Sequence, residues 1–230
     1  MPVVVAFISQ KGGVGKSTLA RGLGAVVAHA GLKVRIADLD PQQHTVLQWE
    51  KTRRANSVAP TLDVKGYPSI HAALDDTADI ELLIVDTPGR ADQATLTIAE
   101  NAHFVVQPTG PSLDDVYPGV LLFHELVAAG IGHERLTFAL CRTQNDDEED
   151  NARSYLEQAG FAVLPGAVPE RTGYRNAQNR GRAINETSRR ELNERADALI
   201  WDLMTRVAAE VKALREREKK KGKKGRKDAI

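Results

Sequence analysis

Three short segments carry residue types whose spacing fits phosphate and metal chemistry. The first, Gln10-Lys11-Gly12-Gly13-Val14-Gly15-Lys16-Ser17-Thr18, sets glycines ahead of a lysine and two hydroxyls, directly behind an apolar run. Glycines let successive backbone N–H groups turn toward one phosphate at a helix N-terminus, Lys16 brings a point charge to the β and γ oxygens, and the Ser17 hydroxyl can ligate Mg²⁺. The second, Asp38-Leu39-Asp40-Pro41-Gln42, places two carboxylates on the same side at the end of the apolar run Val34–Ala37. An Asp-Pro turn explains Asp40 without chemistry, but the C-terminal end of a strand is where α/β sheets bind ligands. The third, Glu81-Leu82-Leu83-Ile84-Val85-Asp86-Thr87-Pro88-Gly89, is an apolar strand ending in an acid and a turn. Asp86 can hold Mg²⁺ through water on the side opposite Ser17, and the Gly89 amide can sense a γ-phosphate.

Elements must position these segments. Apolar runs of strand length recur at Val3–Ile8, Val34–Ile36, Leu82–Val85, Phe104–Val106, Leu136–Cys141 and Phe161–Leu164. They are nearly all apolar, as strands covered on both faces should be. Helical patterns lie between them at Lys16–Ala30, Leu113–Ala129 and Asp150–Ala159, with Gly31, Gly130 and Gly160 where a left-handed cap is wanted. This alternation predicts an α/β fold with a doubly wound, mainly parallel sheet flanked by helices. Farther on, Leu192, Ala196, Leu199, Leu203, Val207, Val211 and Leu214 recur at spacings of three and four, a long C-terminal helix docked on a core. The expected organisation is one domain over residues 1–215 and a basic, disordered tail over 216–230, because that end has no apolar surface to offset ordering entropy.

With 42% hydrophobic and 27% charged residues, the 230-residue chain is ordinary for a globular protein. One cysteine, Cys141, cannot close an intrachain disulfide, so a cytoplasmic setting is expected. Val3–Ile8 is too short and lacks the basic flank of a signal peptide or membrane span. The formal charge of zero hides an asymmetry: residues 212–230 hold ten Lys/Arg against three acids, net +7, leaving −7 on residues 1–211. Such a block is a footprint for nucleic acid or an anionic surface, or a solubilising extension.

Relative to the general P-loop pattern GxxxxGK[ST], Gln10 replaces the first glycine and Lys11 is an added lysine. In this the sequence resembles the ParA/MinD family of deviant Walker-A ATPases, with their KGGxGK[ST] signature. The resemblance covers about residues 2–200. It implies a P-loop NTPase-like fold, ATP and Mg²⁺ as cofactors, and an ATP-sandwich homodimer in which Lys11 reaches the partner's phosphates. Asp38-Leu39-Asp40-Pro41-Gln42 resembles the family's DxDPQ box, so Asp40 would orient the attacking water and Asp38 would help bind the metal. Glu81–Gly89 looks like its Walker-B strand and switch loop. A weaker likeness from Val168-Pro169-Glu170-Arg171 through Gly181 and Asn185-Glu186 would put Pro169 and Glu170 near the adenine, while Cys141 falls where the family usually has Asn.

The implied function is a small, single-domain ParA-type partition or positioning ATPase, cytoplasmic and nucleoid-associated. It would bind DNA non-specifically and be stimulated by a centromere-binding or cargo adaptor of ParB type. Expected DNA contacts are Arg175, Arg180, Arg189 and Arg190 on the folded body and Lys219, Lys220, Lys221, Lys223 and Lys224 on the tail. The large ParA proteins' N-terminal helix-turn-helix has no room ahead of the first motif. Stable membrane insertion of the MinD kind is disfavoured because the basic stretch after Leu214 is almost without apolar residues. A nitrogenase iron-protein reading would need two cysteines per subunit. A metabolic synthetase of the dethiobiotin type is opposed by Lys11 and the DxDPQ box.

Other constellations are weaker. The acidic run Asp146–Asp150 lacks an EF-hand's glycine and ligand spacing and reads as a solvated loop leading into a helix. The six histidines include no i,i+4 pair, and Trp49 and Trp201 read as packing residues.

Overall fold

The computed structural model describes residues 1–89 and 93–227. Seven strands, β1 (Val3–Phe7), β2 (Val34–Asp38), β3 (Asp63–Gly66), β4 (Leu82–Asp86), β5 (Phe104–Thr109), β6 (Leu136–Thr143) and β7 (Ala162–Pro169), form one sheet in the order β3-β2-β4-β1-β5-β6-β7. Every pairing is parallel. β1, β2 and β4 are buried at all five positions, as strands packed under helices on both faces require. The helices are α1 (Lys16–His29), α2 (Thr45–Ala55), α3 (Ile70–Asp75), α4 (Gln93–Asn101), α5 (Leu113–Ala128), α6 (Asp146–Gln158), α7 (Thr172–Gln178) and α8 (Arg190–Lys227), with a 3-10 turn at His133–Arg135.

Two apolar layers cover the sheet. On one face Leu19 and Leu23 of α1, Trp49 of α2 and Leu192, Leu199, Leu203 and Val207 of α8 pack on Val3, Val5, Phe7 and Ile84. On the other, Ile98 of α4, Val116 and Phe123 of α5 and Leu156 of α6 pack on Val4, Ala6, Leu83 and Val85. Register then fixes the chemistry: Phe7 pairs with Asp86 and Asp38 pairs with Asp86, so the loops after β1, β2 and β4 leave the sheet side by side.

Two expectations are corrected. The acidic run is not a loop ahead of a helix; it is the first turn of α6, capped by the Asn145 side chain, where carboxylates meet the positive end of the helix dipole. Trp201 is not a packing residue, being 54% exposed on α8, whereas Trp49 is 4% exposed in the core. The long helix α8 is assigned as far as Lys227. Residues 228–230 and the side chains of 217–227, among them Lys219, Lys220, Lys221, Lys223 and Lys224, lie outside the described residues.

Candidate functional site

The loop from β1 to α1 has a backbone geometry that can hold an anion. Gly13 and Gly15 adopt φ of 74° and 116°, and Gly15 caps α1 without any side-chain hydrogen bond, leaving the helix N-terminus free for a ligand. A Cβ on Gly12 or Gly13 would meet nothing within 4 Å, so the backbone borders open space. A Cβ on Gly89 would lie 2.8 Å from the Gly12 Cα, so the turn after β4 rests directly on this loop and only glycine allows the approach. A cleft of about 500 Å³ is lined by Gly12, Gly13, Gly15, Lys16, Ser17, Thr18, Asp40 and Gly89, together with Arg21.

Lys16 is only 6% exposed, and its ammonium donates to the Lys11 carbonyl at 3.1 Å. Burial lowers its pKa, opposed by the charges of Asp86 and Asp40. Among the described residues no carboxylate is hydrogen-bonded to it, which is the state expected of a cation that a phosphate would complete. Ser17 Oγ donates to Asp86 Oδ2 at 2.6 Å, while Asp86 Oδ1 is buried without a partner among the described residues. Burial pushes the Asp86 carboxyl up to about 7. An acid with one unpartnered oxygen beside a serine hydroxyl fits a Mg²⁺ held partly by water and phosphate. Among the described residues no group of three His, Cys, Asp or Glu is placed to hold an ion by side chains alone.

The two carboxylates of the second segment play different local parts. Asp38 Oδ1 accepts from Asp40 N–H at 3.0 Å, and its Oδ2 accepts from Val46 and Leu47 N–H at 3.0 and 3.2 Å, so Asp38 fastens the start of α2. Asp40 Oδ1 accepts from Gln42 and Gln43 N–H at 3.1 and 3.0 Å, a turn role on the cleft rim. Lys11, half exposed, reaches sideways to α5: its Nζ donates to Asp115 Oδ1 at 2.9 Å and to the Asp114 carbonyl. Burial raises the Asp115 pKa, but hydrogen bonds from Lys11 and Ser112 outweigh it and hold the carboxyl below its usual value.

Past Thr18 the cleft continues into a second hollow of about 320 Å³ lined by Gly13, Gly15, Cys141, Pro169, Glu170 and Arg175. Pro169 and Glu170 therefore do lie beside the phosphate loop. Val14, by contrast, is buried beneath it.

The four arginines expected on the folded body separate. Arg180 and Arg189 share a groove of about 740 Å³ with Arg171 and Arg182, which the sequence reading missed. Arg175 lies in the hollow by Glu170, at 3.8 Å from its carboxylate, and Arg190 is exposed and paired with Glu194 at 2.6 Å. The signal available in sequence was the density of arginine between residues 171 and 190. Among the described residues no helix is long and apolar enough to cross a membrane.

Comparison with known proteins agrees with this geometry. The profile of the "CobQ/CobB/MinD/ParA nucleotide binding domain" matches residues 5–184. The chain is 27% identical over 184 residues to the maintenance of carboxysome distribution protein A of Gloeobacter kilaueensis, covering 80% of this chain and 84% of that one. It is 26% identical over 180 residues to the protein ParA of Rhizobium radiobacter, covering 76% and 81%. A putative plasmid partition protein from Borrelia burgdorferi B31, bound to AMPPNP, superposes with a TM-score of 0.70 at 15% identity, covering 90% of this chain and 100% of that one. With a seven-stranded parallel sheet, a glycine-lined anion cleft and a family match over most of its length, the chain belongs to the CobQ/CobB/MinD/ParA nucleotide-binding family of P-loop ATPases, on its ParA/MinD side.

Proposed function

We propose that this protein is an ATPase that binds ATP·Mg²⁺ in the cleft of Lys16, Ser17 and Asp86, pairs with a second copy across the nucleotide, and binds DNA without sequence preference to segregate or position a cargo. The observation that carries the reading is Ser17 Oγ on Asp86 Oδ2 beside the buried Lys16 ammonium, with Asp40 lining the cleft and Lys11 turned toward Asp115 of α5. Lys16 would hold the β and γ oxygens, Ser17 and Asp86 would hold the metal with Asp38 behind them, and the glycine loop would supply N–H groups to the phosphates. Asp40 would orient the attacking water once its turn contacts loosen, and Pro169 and Glu170 would border the adenine. Lys11 would exchange Asp115 for the phosphates of the second copy, a stronger contact because water is excluded there.

Arg180 and Arg189, with Arg171 and Arg182, give the folded body a basic groove, and the basic end of α8 adds charge with no large apolar residue after Leu214 before Ile230. That composition suits phosphodiesters better than a bilayer. An adaptor of ParB type would accelerate hydrolysis and release, by analogy with the partition proteins to which the chain is similar. The domain would extend to about residue 215, with 216–230 serving the nucleoid. The test is sedimentation and random-duplex binding with ATP and Mg²⁺: the wild type dimerises and binds DNA only with ATP, and Lys11→Ala binds nucleotide as a monomer. An ATP-independent oligomeric state, or binding to anionic vesicles in place of DNA, overturns the reading.

A further inference from the structure

Arg21 sits one helical turn beyond Ser17 on α1 and is only 7% exposed. Its guanidinium joins three elements. Nη2 donates to the Thr45 carbonyl at 2.7 Å, Nη1 donates to Gln178 Oε1 at 2.9 Å, and the guanidinium carbon lies 5.3 Å from the Trp49 ring centroid. Gln178 Oε1 also accepts from Thr18 Oγ1 at 3.2 Å, so two residues of α1 grip the end of α7. Arg21 Nε is buried with no partner among the described residues.

Burying a guanidinium is expensive unless a carboxylate meets it, and Arg53 shows what a purely structural solution looks like. Arg53 is fully buried and gives Nη1 and Nη2 to the two Glu186 oxygens at 2.6 and 2.8 Å, with carbonyls taking the rest. Arg21 has neutral acceptors and an idle donor. Burial lowers its pKa to about 10, with Asp86 and Asp38 pulling the other way, so it remains a cation at neutral pH. A charge kept buried on such terms has work beyond packing.

Thr45 opens α2 immediately after the loop that carries Asp40. His44, just before it, has φ of 44° and no side-chain cap. The root of the Asp40 loop is therefore held from two sides, by the Asp38 carboxylate on the Val46 and Leu47 N–H groups and by Arg21 on the Thr45 carbonyl. Because Arg21 and Ser17 share one helix, this contact sets Asp40 against the phosphate loop.

We propose that Arg21 is a positioning residue for the hydrolytic step, holding the Asp40 loop at a fixed distance from the phosphate-binding helix through the Thr45 carbonyl, with Gln178 as its second anchor. The proposal rests on the reading of this chain as an ATPase in which Asp40 orients water.

The test compares wild type, Arg21→Met, Arg21→Lys, Gln178→Leu and the Arg21→Met/Gln178→Leu double variant. Two quantities are measured with Mg²⁺ present: equilibrium affinity for a fluorescent ATP analogue, and the single-turnover rate of ATP hydrolysis. Arg21→Met keeps affinity within about threefold while the rate falls at least about tenfold, the penalty of a misplaced catalytic group. Arg21→Lys, which can serve one acceptor but not both, recovers part of the rate. Gln178→Leu slows hydrolysis less, and the double variant is no slower than Arg21→Met, since both act through one linkage. A rate within about twofold of wild type in Arg21→Met, or affinity and rate falling by the same factor, overturns the proposal. If Arg21→Met does not fold, unchanged single-turnover rates in both Arg21→Lys and Gln178→Leu overturn it. Absence of any hydrolysis in the wild type overturns the ATPase reading itself, an outcome distinct from these.

Discussion

Asp40 and Asp86 are both acids on one cleft, yet their surroundings assign them opposite sensitivities. The hydrogen bonds of the Asp40 carboxylate go to the backbone of its own turn, and it meets Lys16 only through its charge, so truncating it removes no hydrogen bond from the residues that would hold phosphate or metal. Asp40→Ala is expected to keep ATP affinity and the ATP-dependent dimer while turnover falls by about a hundredfold, since orienting water acts on the barrier and not on ground-state binding. Turnover within a few-fold of wild type would reduce Asp40 to a turn residue. Asp86 instead stores an unfavourable charge. Its folded pKa is raised from 3.8 to about 7, so between these values the native state holds a proton that the unfolded chain releases, and stability falls as pH rises through that window. Asp86→Asn should therefore raise the melting temperature of the nucleotide-free protein by several degrees at pH 8, with the gain shrinking toward pH 5, and should abolish Mg²⁺-dependent nucleotide binding. Calorimetry across that range checks it; an equal gain at both ends would show that the carboxyl is already neutral at pH 8.

At the scale of elements, legibility followed local signal. α1, α5, the long α8 and six strands were readable because apolar period and glycine caps coincide there. α2 was missed because it begins after a left-handed His44 with no capping side chain and is mostly polar, and its burial is decided by Trp49 and Arg53, far from any motif. β3 was missed because Val64 is the one large apolar residue among its four, and the strand owes its place to the sheet edge, where Arg35 of β2 donates to Asp63 at 2.7 Å and Lys65 pairs with Asp76 at 2.8 Å. The place of the glycine loop between β1 and α1 was legible, whereas the parts of Arg21, Gln178 and Arg182 were not, since the contacts they make join segments far apart in sequence. Arg53 is the clearest tertiary fastener. Leu in its place would leave Glu186 half buried without its cation, at a cost of about 3 to 5 kcal/mol. Burial alone would raise the Glu186 pKa, but the Arg53 and Ala183 hydrogen bonds hold it below the usual value, so the stabilisation is present at neutral pH and is lost as pH falls through that lowered pKa. Arg53→Leu is therefore expected to lower the melting temperature by about 10 °C at pH 7 and by less in acid. A uniform loss at both pH values would assign the effect to packing.

At the scale of the whole molecule, charge is separated along the chain, with net +7 on residues 212–230 and −7 on the remainder. Deleting Glu218–Ile230 should weaken binding to random duplex and reduce the slope of log affinity against log salt by about three units, the release expected from three or four phosphates at about 0.9 each. ATP hydrolysis without DNA should stay near wild type, because the phosphate loop lies on the sheet, away from this end. Unchanged slope and affinity would assign DNA contact to the arginine groove. The two tryptophans supply an optical means of following these events. Trp49 is enclosed beneath the guanidinium groups of Arg21 and Arg53, one wall away from the nucleotide cleft, and Trp201 stands in solvent on α8. Iodide should quench the emission of Trp201 and spare that of Trp49. A Trp201→Phe protein would then carry one shielded indole whose intensity reports, without any label, whether a nucleotide has entered the cleft next to it.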